Sequence, residues 1–176
     1  MSDSKLFNVL FLCTGNSARS ILAEGILRGV GAGRFQAFSA GSHPKGEVNP
    51  LAIDALRDAG YPTDGMRSKS WDEYAVPGAP SMDFVFTVCD QAAGESCPVW
   101  PGQPVTGHWG IEDPSRETRG EIWQRAGFRQ ALHFMENRIK AFVALPIGSL
   151  ERSSLTVKVR EIGHLDGAST ARSDVA

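Results

Sequence analysis

Cysteine is scarce: only Cys13, Cys89 and Cys97 occur in 176 residues. Three thiols cannot all pair within one chain, so a disulfide framework is not what holds this fold, and the cysteines need another explanation. Charge of one sign is also lacking. Eighteen Lys and Arg against twenty Asp and Glu leave a net charge of −2, with no bulk positive field to hold nucleic acid. The four tryptophans have no basic stripe beside them and form no base-stacking face. Long apolar runs are missing as well. The longest near the N-terminus, Val9 to Cys13, is far too short to span a membrane. The opening Met-Ser-Asp-Ser-Lys has no signal-peptide pattern. These absences describe a cytoplasmic chain with neither nucleic acid nor membrane as partner. No apolar stripe is left over beyond the core, so a monomer is expected.

What is present is ordinary for a globular domain: 41% hydrophobic and 22% charged residues, enough to bury one core. Apolar segments at Phe7 to Leu12, Phe35 to Ala40, Phe84 to Val88 and Val105 to Trp109 read as strands. Helical periodicity covers Ser17 to Val30, a helix from Asn49 or Pro50 to Ala59, a long helix from about Glu117 to Leu145, and a short one over Leu150 to Ile162. Gly25 weakens the middle of the first helix. Ile122, Ala126, Leu132, Met135, Ile139 and Val143 mark the expected buried side of the long one. Strands alternating with helices predict an α/β fold: a three-layer α/β/α sandwich around a four-stranded parallel sheet. One domain is expected over residues 1–163, with 164–176 as a loose tail.

The segment Cys13-Thr14-Gly15-Asn16-Ser17-Ala18-Arg19-Ser20 leaves the first strand and enters the first helix. Ligands bind there in open parallel sheets. The loop N–H groups of Thr14, Gly15, Asn16, Ser17 and Ala18 can curl around a tetrahedral oxyanion, with Gly15 at the tightest point. Arg19 can add a planar fork. Cys13 lies among these donors, so its thiolate should be stabilised and nucleophilic. Ser20, one turn along, can donate to that thiolate.

This cysteine, five residues, arginine, serine pattern resembles the low-molecular-weight tyrosine phosphatase fold. The stretch from Val9 to Gly25 is more similar to the arsenate reductases built on that fold, and the resemblance extends over about residues 6 to 145. Cys89 should lie at the same sheet edge as Cys13. The segment leading to Cys97 is small and polar, with Gly94 near its middle, so it can refold at low cost. A resolving cysteine needs that freedom. A zinc site from Cys89, Cys97 and His108 would lack paired spacing and an obvious fourth ligand. Similar reductases carry the same landmarks: Cys97-Pro98, His108-Trp109-Gly110 and Asp113-Pro114. Seven residues separate Cys89 from Cys97, where the best-known thioredoxin-linked pattern has six.

The resemblance implies reduction of arsenate to arsenite for detoxification. Cys13 would be the nucleophile, Cys89 the resolving thiol, Cys97 the final disulfide partner and Asp113 the general acid. Thioredoxin, or glutaredoxin or another thiol, would restore the enzyme, and no redox cofactor would be required. It also implies a potassium ion held by Asn16, Glu24, Ser39 and Asp72, which match by spacing. The alternative is a phosphatase using Cys13, Arg19 and Asp113. There the residues after Asp113-Pro114 would be aromatic, to sandwich a phosphotyrosine ring, but they are Ser115, Arg116 and Glu117. A non-enzymatic oxyanion or redox sensor is a third reading, with no output surface in the sequence to support it. His108 and Trp109 are expected to wall the site, and His43, His133 and His164 to be plain surface residues.

Overall fold

The computed structural model describes residues 5–95 and 98–169. Cys97 lies outside the described residues, as does the end of the expected tail. The four predicted strands form: β1 (Phe7–Cys13), β2 (Phe35–Gly41), β3 (Phe84–Thr87) and β4 (Val105–His108). They make one parallel sheet in the order β2-β1-β3-β4. β1 is central because it is apolar on both faces. Val9, Phe11 and Cys13 point to one side and Leu10 and Leu12 to the other, the period-two alternation of a strand buried twice.

The sheet lies between two layers, as the alternation of elements implied, but the layers are unequal. Helices α1 (Arg19–Val30), α2 (Pro50–Asp58), α4 (Glu121–Val143) and α5 (Arg152–Ile162) pack on the Val9, Phe11, Phe84 and Phe86 face. The other face is covered thinly, by a 3-10 turn at Trp71–Tyr74 and by Trp100. Helix α3 (Asp90–Ala93) is a single turn at the end of β3. No helix among the described residues is long and apolar enough to cross a membrane.

Gly25 does not interrupt α1, because α2 needs the space. A Cβ there would lie 2.7 Å from the Leu56 methyls. The long helix begins four residues later than expected, after Gly120 at φ 118. Its first turn therefore extends past the core, and Ile122 is 82% exposed instead of buried. The buried stripe runs through Phe128, Leu132, Met135, Ile139 and Phe142. It also includes Arg138, which is fully buried. The Arg138 guanidinium donates to the carbonyls of Phe134, Gly163, Leu165 and Asp166.

That clamp shows why the expected tail boundary at 163 is too early. Ala168 pairs antiparallel with Ile111, and the Ser169 N–H donates to the Gly110 carbonyl at 3.0 Å. Residues through Ser169 are thus part of the packed domain. Trp109 also departs from expectation. It is a core residue, stacked on Phe86 with centroids 3.9 Å apart, and its indole N–H donates to the Val159 carbonyl.

Candidate active site

The C-terminal ends of β1 and β3 open on a cleft of about 340 Å³. Its floor is the loop from Cys13 to Arg19, and its walls include His43, Lys45, Gln91, Asp113, Ser115 and Arg116. The loop takes its shape from where its carbonyls go. The Thr14 carbonyl accepts from the His43 N–H, that of Gly15 from the Lys45 N–H and the Ser68 hydroxyl, and that of Ser17 from the Asn49 N–H. With its acceptors tied to the outside, the loop is free to turn its N–H donors inward, where an oxyanion can satisfy them.

The tight point of this loop is not Gly15. Asn16 holds the left-handed conformation, at φ 44, and a Cβ on Gly15 would meet only the flexible Lys45 side chain. Asparagine tolerates that region better than most residues. The glycine that the site requires is Gly41, at the end of β2. A Cβ there would come 2.4 Å from the Thr14 carbonyl oxygen. In the sequence Gly41 stands only as the residue that follows the expected strand Phe35 to Ala40.

Arg19 stands at the first turn of α1. Its Nη1 donates to the Ile111 carbonyl at 3.1 Å, and Nη2 lies 3.4 Å from the Asp113 carboxylate. Its buried Nε has no protein partner among the described residues, so an anion in the cradle would complete its hydrogen bonds. Asp113 caps the 3-10 turn Pro114–Arg116 by accepting from the Ser115 N–H and hydroxyl at 2.9 and 2.6 Å. Burial raises its pKa, but the Ser115 hydrogen bonds and the Arg19 charge outweigh this, and the carboxyl is held below its ordinary range.

Cys13 and Cys89 meet beneath the cradle. The two thiols share a hydrogen bond, and both are buried. The Cys89 sulfur also accepts from the Ala92 N–H at 3.3 Å and lies 3.6 Å from the Thr14 hydroxyl. The sequence implied a thiolate at Cys13; the charge is instead shared with Cys89. The bond to Cys13 brings Cys89 down to about 5, against burial and with help from Ala92, Arg19 and Thr14. The same bond, together with burial, holds Cys13 well above the usual thiol range, against the pull of Arg19. The two sulfurs therefore share one negative charge and one proton.

Asp90, next to Cys89, is held from two sides. His108 Nε2 lies 2.7 Å from its carboxylate, while His108 Nδ1 meets the Thr87 hydroxyl at 2.7 Å. The Ser169 hydroxyl donates to the same carboxylate oxygen at 2.8 Å. His108 is thus placed one residue away from the thiol pair. His43, expected to be a plain surface residue, is exposed but lines the cleft.

Of the four residues matched to a potassium site, Asn16, Glu24 and Ser39 come together under the loop, all buried. The fourth, Asp72, is exposed in the 3-10 turn instead of buried with them. Lys69, which sequence reasoning passed over, is buried in the cluster. Ser20 is buried beside it and accepts from the Asn16 amide at 2.9 Å.

A family model described as low molecular weight phosphotyrosine protein phosphatase matches residues 8–155. An arsenate reductase of Bacillus subtilis (strain 168) is 34% identical over 134 residues, 76% of this chain and 93% of that one. A solved structure of an arsenate reductase in the phosphate binding state superimposes with a TM-score of 0.65 at 27% identity, covering 78% of this chain and 97% of that chain. The thioredoxin-dependent arsenate reductase of Corynebacterium glutamicum has a TM-score of 0.56 at 23% identity, over 78% of this chain and 60% of its own, and shares the fold. The matched family model spans most of the sequence and the fold is shared with solved arsenate reductases: the chain belongs to the low molecular weight phosphotyrosine protein phosphatase family, and within it is similar to arsenate reductases.

Proposed function

We propose that this enzyme reduces arsenate to arsenite through a thiol–disulfide relay. The observation that carries this reading is the hydrogen-bonded thiol pair, Cys13 and Cys89, at the base of an oxyanion cradle. Hydrolysis needs only one thiol and a water; a second thiol touching the nucleophile is what reduction needs.

Arsenate docks on the N–H groups of residues 14–18 and on Arg19. Its negative charge engages Arg19 and raises the pKa of Asp113, which can then carry a proton. The proton on Cys13 passes to an oxygen of the bound arsenate as the sulfur attacks arsenic, with the Ser20 hydroxyl available to stabilise the forming thiolate. Asp113 protonates the departing oxygen, which leaves as water, and a Cys13–arsenic bond forms. The Cys89 thiolate then attacks the Cys13 sulfur. The electron pair of the sulfur–arsenic bond goes to arsenic, arsenite leaves, and a Cys13–Cys89 disulfide remains. Cys97 attacks Cys89, releasing Cys13 as a thiolate and moving the disulfide to the pair Cys89 and Cys97. An external dithiol, thioredoxin or glutaredoxin in kind, takes that disulfide. The thiols carry both electrons, so no redox cofactor enters. All these groups belong to one chain, so a monomer suffices, and a reducing cytoplasm would keep its thiols reduced.

The same cradle and Asp113 also support slow hydrolysis of phosphomonoesters. The cleft walls near Asp113 are Ser115 and Arg116 rather than aromatic rings, which favours a small inorganic anion as the principal substrate.

The test is turnover of arsenate with thioredoxin by the wild type and by Cys89→Ser and Cys97→Ser. Each variant should form no more than about one arsenite per enzyme. Full multiple turnover by Cys89→Ser would refute the relay.

A further inference from the structure

Beneath the anion loop lies a buried polar cluster that the mechanism above does not use. At its centre is Asn16, fully buried and in the left-handed conformation. A residue in such a region is kept there by its surroundings, and the Asn16 side chain has partners on both ends. Its amide nitrogen donates to the Ser20 hydroxyl at 2.9 Å and the Ser39 hydroxyl at 3.0 Å. Its carbonyl oxygen accepts from the Lys69 backbone N–H at 2.9 Å and faces the Lys69 ammonium at 3.4 Å.

Lys69 is only 6% exposed. Its ammonium has three N–H donors and three oxygen acceptors around it: the Arg67 carbonyl at 2.9 Å, the Asn16 amide oxygen at 3.4 Å and the Ser39 hydroxyl at 3.4 Å. Glu24, 3% exposed, supplies the counter-charge, and one of its carboxylate oxygens is buried without a hydrogen-bond partner. Burial pushes the Glu24 pKa up, and of the charges that oppose this Lys69 is the strongest. Burial likewise pushes Lys69 down, and Glu24 opposes it most.

A carbonyl, an amide oxygen, a hydroxyl and a carboxylate are the donor set that a hard cation takes. Here the chain's own cation stands among them, and Asp72, needed to complete the potassium set, is exposed. The residues present therefore do not fit an added ion.

We propose that the Lys69 ammonium is the resident cation of this cluster and holds the anion loop in its binding shape through Asn16, making an alkali metal ion unnecessary. Lys69 is a positioning residue: it touches Asn16, not the substrate. The inference rests on the loop being an oxyanion site and not on arsenate being reduced.

The experiment measures binding of inorganic phosphate by calorimetry, in potassium chloride and in choline chloride at equal ionic strength. The wild type should bind within about twofold in the two salts. A gain of about fivefold or more in potassium would overturn the proposal. Lys69→Ala should lose about tenfold in choline, and potassium, entering the space left among the oxygens, should restore much of it. Unchanged affinity in choline overturns the proposal, and so does a loss that potassium does not restore, since that is a packing effect. Lys69→Met keeps the side-chain volume without the charge and guards against misfolding of the alanine variant. It should lose affinity equally in both salts, and wild-type affinity in this variant also overturns the proposal. Arsenate turnover is measured separately, so failure of the reductase reading leaves this result interpretable.

Discussion

Cys13 and Cys89 share a hydrogen bond beneath the oxyanion loop, and it links the ionisation of the two residues. In a relay the attacking thiolate must reach the back of the Cys13 sulfur. Here the two sulfurs are already paired by a hydrogen bond, so in the proposed relay the first disulfide would need little search. The later step differs. Cys89 must leave, and α3, whose first residue Asp90 is held by His108 and Ser169, must yield.

Replacing Cys13 by Ala should remove the hydrogen bond that depresses Cys89. The Cys89 thiol should then titrate well above 5, toward its ordinary value near 9.0. Ultraviolet thiolate absorbance against pH measures this. A midpoint still near 5 would mean that Ala92, Arg19 and Thr14 suffice alone. The same depression has a stability consequence. A group whose folded pKa is lowered contributes stability fully above its unfolded value, and that contribution is lost as pH falls through the folded value. The stability advantage of the wild type over Cys89→Ala should therefore shrink as pH drops from about 9 to about 5, and be flat below. Denaturant unfolding at a series of pH values checks the sign.

Asp113→Asn removes both the proposed proton donor and a negative charge facing the cradle. The rate of Cys13–arsenic bond formation should fall about a hundredfold. Phosphate should bind at least as tightly as to the wild type, because a like charge has gone. Rapid-quench single turnover and calorimetry separate the two effects. Weaker phosphate binding would show that Asp113 acts mainly by orienting Arg19.

Gly41→Ala places a methyl 2.4 Å from the Thr14 carbonyl. Backbone on backbone cannot yield like a flexible side chain. The variant should lose about 2 kcal/mol of stability and most of its phosphate affinity. Gly15→Ala, which meets only Lys45, should lose little of either. Equal behaviour of the two variants would contradict the placement of β2 against the loop.

Arg138→Met keeps an apolar stem in the stripe of α4 but deprives the carbonyls of Gly163, Leu165 and Asp166 of their donor. A loss of about 3 kcal/mol is expected. Hydrogen exchange should rise at Ser169, whose N–H is bonded to Gly110. Unchanged exchange there would show that α5 alone holds the segment.

The sheet could be read from the sequence because β1 and β3 carry their signal locally, in apolar residues alternating between two faces. The loop from Cys13 to Arg19 was legible for a similar reason: its position between strand and helix is written in adjacent residues. The remainder depends on contacts distant in the chain. Lys69 stands in Arg67-Ser68-Lys69-Ser70, which reads as a solvated turn. It is buried only because Gly41 donates to its carbonyl and Asn16 accepts from its amide. Arg138 looks like an exposed charge on a helix until the chain returns to cover it. Ile122 fits the apolar period of α4, but the late start of that helix leaves it beyond the core. Nor can the sequence tell which of two touching thiols keeps the proton, since that depends on the donors around each sulfur.

The carbonyls of Thr14, Gly15 and Ser17 are fixed by the backbone N–H groups of His43, Lys45 and Asn49. Both ends of each tie are main chain, and the inward donors are main chain too. The ties are therefore indifferent to side-chain identity at 43, 45 and 49, and the sequence there can drift without cutting them. One substitution escapes that tolerance. Proline carries no N–H, so at 43, 45 or 49 it would cut a tie outright. The prolines already present, Pro44 and Pro50, fall immediately beside those positions and on none of them.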